Sequence, residues 1–290
     1  MLKKAALFVN PHKDFASAIV PDITAMLADH AVEYRFFSFH DAACAAEYGV
    51  DGTASGGAEY GVAFSLGGDG TVLYAARTMS SFGVPVFPIN MGTLGFIAAI
   101  PHDEWKPVFE RFLAGSAEIS KRLMLDVRIE RNGAVIECGC CLNDAVVSAS
   151  GIAKIIRLRV KTDDQRGELS LGRYRSDGLI AATPTGSTAY SAAAGGPIID
   201  PEMEAIIITP ICPFILSNRP LVLPSGAAVI INVEEEQRSG LLLTMDGQVT
   251  VPLVPGDRII IRKAPYYASL IDTGRQSFYY ALRTKLAWTG

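Results

Sequence analysis

The chain has 290 residues, 49% hydrophobic and 19% charged, enough to bury the cores of two ordinary domains. A formal net charge of −4 with no basic block excludes capture of nucleic acid by bulk electrostatics. No apolar run reaches the roughly 18 residues of a bilayer span, and the oiliest stretch, 205–216, is broken by Pro210 and Pro213.

Met1-Leu2-Lys3-Lys4 runs straight into an apolar strand-like segment, 5–10, too short for the core of a secretory leader. The chain therefore reads as cytoplasmic, with neither membrane nor nucleic acid as partner. A helix is expected over 15–29, with Pro21 in or near its start, and a second strand over 32–37. Residues 47–61, rich in glycine and small side chains, read as a loop. A strand over 62–66 leads into Gly67-Gly68-Asp69-Gly70-Thr71, and a helix opens behind it from Val72. Another strand at 86–89 is closed by 90–96, and a helix over 104–113 stops at Gly115. This alternation predicts a Rossmann-like α/β domain with a parallel sheet covered by helices.

The character changes near Lys121. Strands are expected over 123–131 and 134–147, joined at Asn132-Gly133, a strong hairpin signal. Further strands follow over 155–161, 168–173, 179–183, 205–209, 227–233, 240–245 and 258–263, and in this half only 187–194 reads as helical. Many short strands with little helix predict an all-β, sandwich-like domain. The last segment, 278–288, returns to helical spacing. The expected domains are 1–121, 122–270, and a C-terminal helix within 271–290 that packs back on the first. Cys44 and Cys212 stand apart, while Cys138, Cys140 and Cys141 share an expected strand. No second ligand pair at zinc spacing follows, so all are read as buried reduced thiols and no metal ligand is assigned.

Four segments could carry chemistry. The Gly67–Thr71 turn lies outside the carboxyl end of a strand, where α/β sheets place ligands. Its glycines let backbone N–H groups approach a phosphate. Asp69 would repel that phosphate, so it fits handling of a proton or a metal ion. Lys-Ser or Lys-Thr is missing after the turn, so this is no Walker-type loop. Asn143-Asp144 offers an amide beside a carboxylate, suited to a vicinal diol or to an ordinary strand end. Arg175 and Asp177 face the same way if extended, as site residues or as a surface ion pair. Thr183–Ser191 is dense in hydroxyls. Ser187 or Thr188 can cap the helix behind it, which suits a nucleotide or a plain capped turn.

Taken in order, Gly67–Thr71, 90–96, Leu142-Asn143-Asp144, Ser176-Asp177-Gly178-Leu179 and Thr183–Pro197 resemble the NAD kinase family. The likeness continues through Thr209-Pro210-Ile211-Cys212-Pro213, Leu216-Ser217-Asn218-Arg219-Pro220 and Asp246-Gly247-Gln248. The glycine turn alone is shared with phosphofructokinases and lipid kinases; the Thr-Pro-Thr-Gly-Ser-Thr-Ala-Tyr core is far more specific.

The resemblance implies phosphorylation of the adenosine-ribose 2′-hydroxyl of NAD, giving NADP. The implied donor is ATP, or polyphosphate in some members, with a divalent metal, usually Mg²⁺, and a homodimer or homotetramer. It matches Asp69 to the proton acceptor and Gly68 and Gly70 to its neighbours in the nucleotide site. Asn143 and Asp144 match the pair that grips ribose hydroxyls. Lys154, Arg175 and Asp177 match positions lining the nucleotide site. Thr188, Ala189, Tyr190 and Ser191 match the segment that contacts the dinucleotide, and Gln248 a late contact. Tyr190 is read either as a platform for a base or ribose or as packing in a domain interface. Two departures stand out. Asp144 replaces a frequent Glu, and Pro213-Phe214 replaces a frequent Pro-His, which removes a polar group near a turn. Thr71 rather than Asn resembles members that also use polyphosphate. The rival readings are a lipid or sugar kinase sharing the glycine turn, and a non-catalytic NAD(P)-binding regulator.

Overall fold

The computed structural model describes residues 2–9, 14–38, 57–151, 154–164, 167–215, 217–271 and 275–286. The chain divides into two units, 1–122 with 266–290, and 123–265. In the first, strands β1 (Lys4–Val9), β2 (Glu33–Ser38), β3 (Val62–Gly67) and β4 (Val86–Asn90) lie in the order β2-β1-β3-β4, all parallel. Short β5 (Ile100–Pro101) adds beside β4. Every residue of β3 and β4 is buried, as expected for parallel strands covered on both faces. Helices α1 (Asp14–Asp29), α2 (Asp69–Met79) and α3 (Trp105–Leu113) connect the strands. Ile19, Ile23 and Leu27 of α1, at helical spacing, join Phe64, Phe87 and Phe109 in one core. The C-terminal helix α5 (Arg275–Leu286) belongs to this unit; Phe278 lies 6.4 Å from Phe96, ring to ring.

The second unit is built from two sheets. One is antiparallel: β13 (Leu221–Pro224), β12 (Ala205–Ile211), β11 (Gly178–Ala182), β8 (Asp144–Ala149), β15 (Leu241–Met245) and β16 (Val249–Leu253), in that spatial order. The other runs β10 (Gly167–Ser176), β9 (Ile156–Asp164), β14 (Ala228–Val233) and residues 258–265 of β17 (Arg258–Ile271), with residues 123–131 of β6 (Ile119–Arg131) and β7 (Ala134–Cys141) beyond. Alternate residues of β6, Leu123, Leu125, Val127 and Ile129, enter the same core as Val147, Leu179, Val229 and Leu243. Period-two burial of this kind marks face-to-face sheets. A second cluster, Val146, Ile180, Ala182, Ile199 and Ile207, covers the other face of β8 and β11.

The expected α/β half and β-sandwich half are thus both present. Asn132 and Gly133 take φ of 52° and 78°, which closes the β6–β7 hairpin as their types demand. Several expectations are corrected. The strand read over 134–147 is two strands in different sheets, broken at Leu142-Asn143. Strands β13 and β16 were not expected, and β17 runs on to Ile271. The single helix expected over 187–194 is a 3-10 turn, Thr185–Thr188, followed by α4, only Tyr190–Ala193. Cys141 is buried, Cys138 and Cys140 are partly buried, and Cys212 is exposed at a φ of 44°, so burial does not describe the set. Cys44, Leu216 and residues 47–56 of the expected loop lie outside the described residues. Among the described residues, no helix is long and apolar enough to cross a membrane.

Candidate functional site

In the first unit the glycine turn is a helix start. Gly68, at φ −112° and ψ −167°, is the N-cap of α2, and no side chain caps it. The helix therefore begins at Asp69, three residues earlier than the sequence suggested. Asp69 Oδ2 accepts the N–H of Phe96 at 3.0 Å, and Oδ1 accepts those of Ile97 at 3.1 Å and Ala98 at 2.9 Å. The carboxylate is thus half-buried and tied to the loop after β4. Gly95 makes the approach possible, because a Cβ there would run into Asp69 Oδ1. Asn90 holds the same loop from the other side: its amide donates to the carbonyls of Thr93 and Ala98 and accepts the N–H of Gly92. Gly70 is exposed on the first turn of α2.

In the second unit the break between β7 and β8 forms a turn whose backbone is fully engaged. Asp246, on the turn between β15 and β16, accepts the N–H of Leu142 at 3.1 Å, of Asn143 at 2.7 Å and of Asp144 at 3.3 Å. Its own N–H reaches the Asp144 carbonyl at 2.9 Å. From the opposite side, the Thr183 hydroxyl donates to the Leu142 carbonyl and the Thr183 N–H to that of Asn143. Gly186 packs directly on the Asn143 carbonyl, where a Cβ would collide with backbone. Asn143, Asp144, Ala189 and Tyr190 line a cavity of about 380 Å³, with Ser148 and Thr244. Asn143 Oδ1 is a buried acceptor with no partner. Asp144 is 5% exposed, and burial, with the charge of Asp246, pushes its carboxyl up to about 7. Tyr190 is 48% exposed at the cavity and is not part of its unit's core.

The other expected residues divide. Ser191 is buried and its hydroxyl pairs with Thr209, so it does not line the cavity. Thr188 donates to the Thr185 carbonyl, and Ser187 exchanges hydrogen bonds with Ile199. Neither hydroxyl caps a helix, which corrects the capping expectation. At four residues α4 has too little dipole to attract an anion. Gln248 closes the β15–β16 turn through its N–H, bonded to the Met245 carbonyl. Lys154 is exposed. Arg175 and Asp177 form no ion pair with each other among the described residues. Arg175 instead lines a separate, charged crevice of about 740 Å³ with Arg157, Arg159 and Arg173. Its guanidinium lies 4.9 Å from the Phe214 ring centre, and the Phe214 N–H donates to the Arg175 carbonyl. The Phe214 departure therefore does touch a candidate site residue. Sequence reasoning quoted Asp246 and Thr183 within motifs but gave neither a role of its own, and it missed the amides of Ile97 and Ala98. Asp-Gly at a hairpin turn was a further signal.

Profiles describing the ATP-NAD kinase N-terminal and C-terminal domains match residues 52–117 and 142–273. NAD kinase of Treponema denticola is 41% identical over 289 residues, covering 100% of this chain and 98% of its own. NAD kinase of Citrifermentans bemidjiense is 38% identical, with 99% of each covered. Among solved structures, yeast NADH kinase complexed with NADH superposes with a TM-score of 0.77 at 22% identity, covering 100% of this chain and 89% of that one. An NAD kinase from Archaeoglobus fulgidus in complex with ATP superposes with a TM-score of 0.73 at 23% identity, covering 99% and 100%. This chain, matched along nearly its whole length, belongs to the NAD kinase family.

Proposed function

We propose that this NAD kinase moves the terminal phosphate of ATP to the 2′-hydroxyl of the adenosine ribose of NAD, with Asn143 and Asp144 gripping the sugar. The observation that carries this reading is the cavity at the β7–β8 break. It holds a buried acceptor without a partner, Asn143 Oδ1, beside a carboxyl held near neutrality, under an exposed tyrosine ring. A hydroxyl-bearing sugar satisfies the first two, and a flat base can stack on the third. Asp69 is the proposed proton acceptor. A sugar hydroxyl needs a base within hydrogen-bond reach, while most of the rate comes from positioning and charge neutralisation. The first turn of α2, with Gly68 partly buried and Gly70 exposed, presents the positive end of a helix to phosphate.

The described residues do not build a resident metal cage. Among the described residues no three His, Cys, Asp or Glu side chains converge. Mg²⁺ keeps several waters and is commonly held through substrate phosphates. The donor set fits an ion carried by the donor nucleotide, where it supplies charge neutralisation. Polyphosphate stands as a second donor, resting on Thr71. A cytoplasmic homodimer or homotetramer is the proposed working form, in keeping with the exposed apolar side chains of edge strand β13, Leu221 and Val222. The deciding experiment measures NADP formation from NAD with ATP or polyphosphate, with and without Mg²⁺. Product at the 2′ position with ATP-Mg²⁺ supports the reading. Tight NADP binding with no turnover would overturn it.

A further inference from the structure

We infer that Asp246 is the positioning residue of the sugar-binding turn: its carboxylate gathers the backbone N–H groups of Leu142, Asn143 and Asp144, so that Asn143 and Asp144 offer the sugar an acceptor and a donor side by side. The inference rests on the reading that these two residues grip the ribose. Three features carry it. A hairpin turn needs only residues that accept positive φ, and Asp246 and Gly247 sit at 52° and 66°. A carboxylate is not required for that. Yet this one is 7% exposed, and both its oxygens accept N–H groups of the adjacent turn. The turn it gathers carries the cavity's orphan acceptor.

The second feature is the electrostatic company. The titratable side chains lining the cavity are Asp144 on β8, Asp246 on the β15–β16 turn and Tyr190 on α4, and among the described residues no cation lines it. On β11, the residue opposite Asp144 is Ala182. Two carboxyls in one buried cavity do not both ionise readily. Asp246 takes the N–H donors, which favour its charged form, and Asp144 is left to keep its proton. A protonated Asp144 donates to a sugar oxygen while Asn143 Oδ1 accepts from the neighbouring hydroxyl. The third feature is the double hold. Thr183 fixes the turn's carbonyls, and Asp246 alone is seen to fix all three of its amides.

The test is steady-state kinetics on the full-length enzyme across pH 5.5–8.5. Asp246→Asn preserves the hairpin, since Asn-Gly suits such a turn as well as Asp-Gly. It removes the charge and turns an amide toward the Leu142 N–H. The expected result is a rise of about tenfold in KM for NAD with a smaller change in kcat. In the wild type, KM for NAD should climb as pH passes about 7; in the variant the climb should begin at lower pH, and in Asp144→Asn it should vanish. A wild-type KM and inflection in Asp246→Asn would overturn the inference. So would a raised KM with an unmoved inflection, which is what a merely structural role gives. If Asp246→Asn does not fold, Asp246→Glu keeps the charge and displaces the oxygens. It should raise KM and retain the inflection, and an unchanged KM counts against the proposal. Asn143→Ala separates the two levels: if it leaves KM for NAD unaltered, the sugar-grip reading itself fails, whatever Asp246 does.

Discussion

Asp69 in the first unit and Asp246 in the second solve the same mechanical problem. Each is a carboxylate that collects three consecutive backbone N–H groups from a neighbouring loop, Phe96–Ala98 in one case and Leu142–Asp144 in the other. Each loop is held from its far side by a neutral polar side chain that binds carbonyls, Asn90 or Thr183. The settings differ. Asp69 is half-buried at the start of α2, at the carboxyl end of a strand, where α/β sheets bind ligands. Asp246 is buried beside a second carboxyl. On the proposed roles, the same clamp would serve chemistry at the half-buried Asp69 and geometry at the enclosed Asp246.

The sharpest way to break this contrast is Asp69→Asn. With the base role, turnover should fall by roughly 10²–10⁴-fold while NAD still binds; near-normal turnover would reject the role. Because the same substitution also weakens the hold on 96–98, Gly95→Ala is the companion. It leaves the carboxylate in place but drives a methyl group into it. A loss of about tenfold in kcat/KM is expected, since misplacement of a positioned group by about 1 Å is costly. An unchanged kcat/KM in Gly95→Ala would show that the loop and the acid are mechanically independent. Thr183→Val addresses the other clamp. It strips the hydroxyl from the Leu142 carbonyl and from the Gly186 N–H, which bonds it at 3.0 Å. Stability should drop by about 1–3 kcal/mol. KM for NAD should rise only about threefold, less than in Asp246→Asn, because Asp246 still gathers the amides. A KM effect exceeding that of Asp246→Asn would reverse the ranking of the two holders.

Much of this was legible in the residues and some was not, for physical reasons. Largely apolar runs such as 62–66 and 86–89 announce a covered parallel sheet, and Asn132-Gly133 announces its hairpin, because local chemistry decides both. The break at Leu142-Asn143 was only half legible. Asn143-Asp144 could be read as a strand end, yet the surrounding run was read as one strand, because the interruption is imposed by Thr183 and Asp246, some 40 and 100 residues away in sequence. Helix length at 185–193 was misread for a related reason. Ser187 looks like a cap, but its hydroxyl is claimed by Ile199 in the folded unit. The residues that touch a ligand in the proposal carry motif signals; the side chains of Thr183 and Asp246 stand in motifs too, but what they grip is backbone, and backbone partners leave no mark in a sequence.

The smallest effect on catalysis should come from Asp144→Asn, and its value is in stability. A protonated Asp144 and an asparagine are nearly the same shape and both can donate, so KM for NAD below about pH 6.5 should change little. The pH dependence should change. In the folded chain burial and Asp246 hold the Asp144 carboxyl at about 7, whereas in the unfolded chain it titrates near 4. Between those values the folded state binds one more proton than the unfolded state, so this group's contribution to stability is full below about pH 4. It is lost as pH rises through about 7. Asp257 works the other way. Its burial favours the neutral form, but the Arg131 fork at 2.7 and 2.8 Å and the Val254 N–H outweigh that and hold it below the usual carboxylate range. Its contribution is present above about pH 4 and fades in more acid solution. Urea midpoints for wild type and Asp144→Asn cancel the Asp257 contribution, which both share. The difference between them should widen from pH 5 to about pH 7.5, in favour of the variant, and then stay constant. A difference independent of pH would mean that Asp144 is already ionised in the folded chain, and that the enclosed clamp sets position without setting charge.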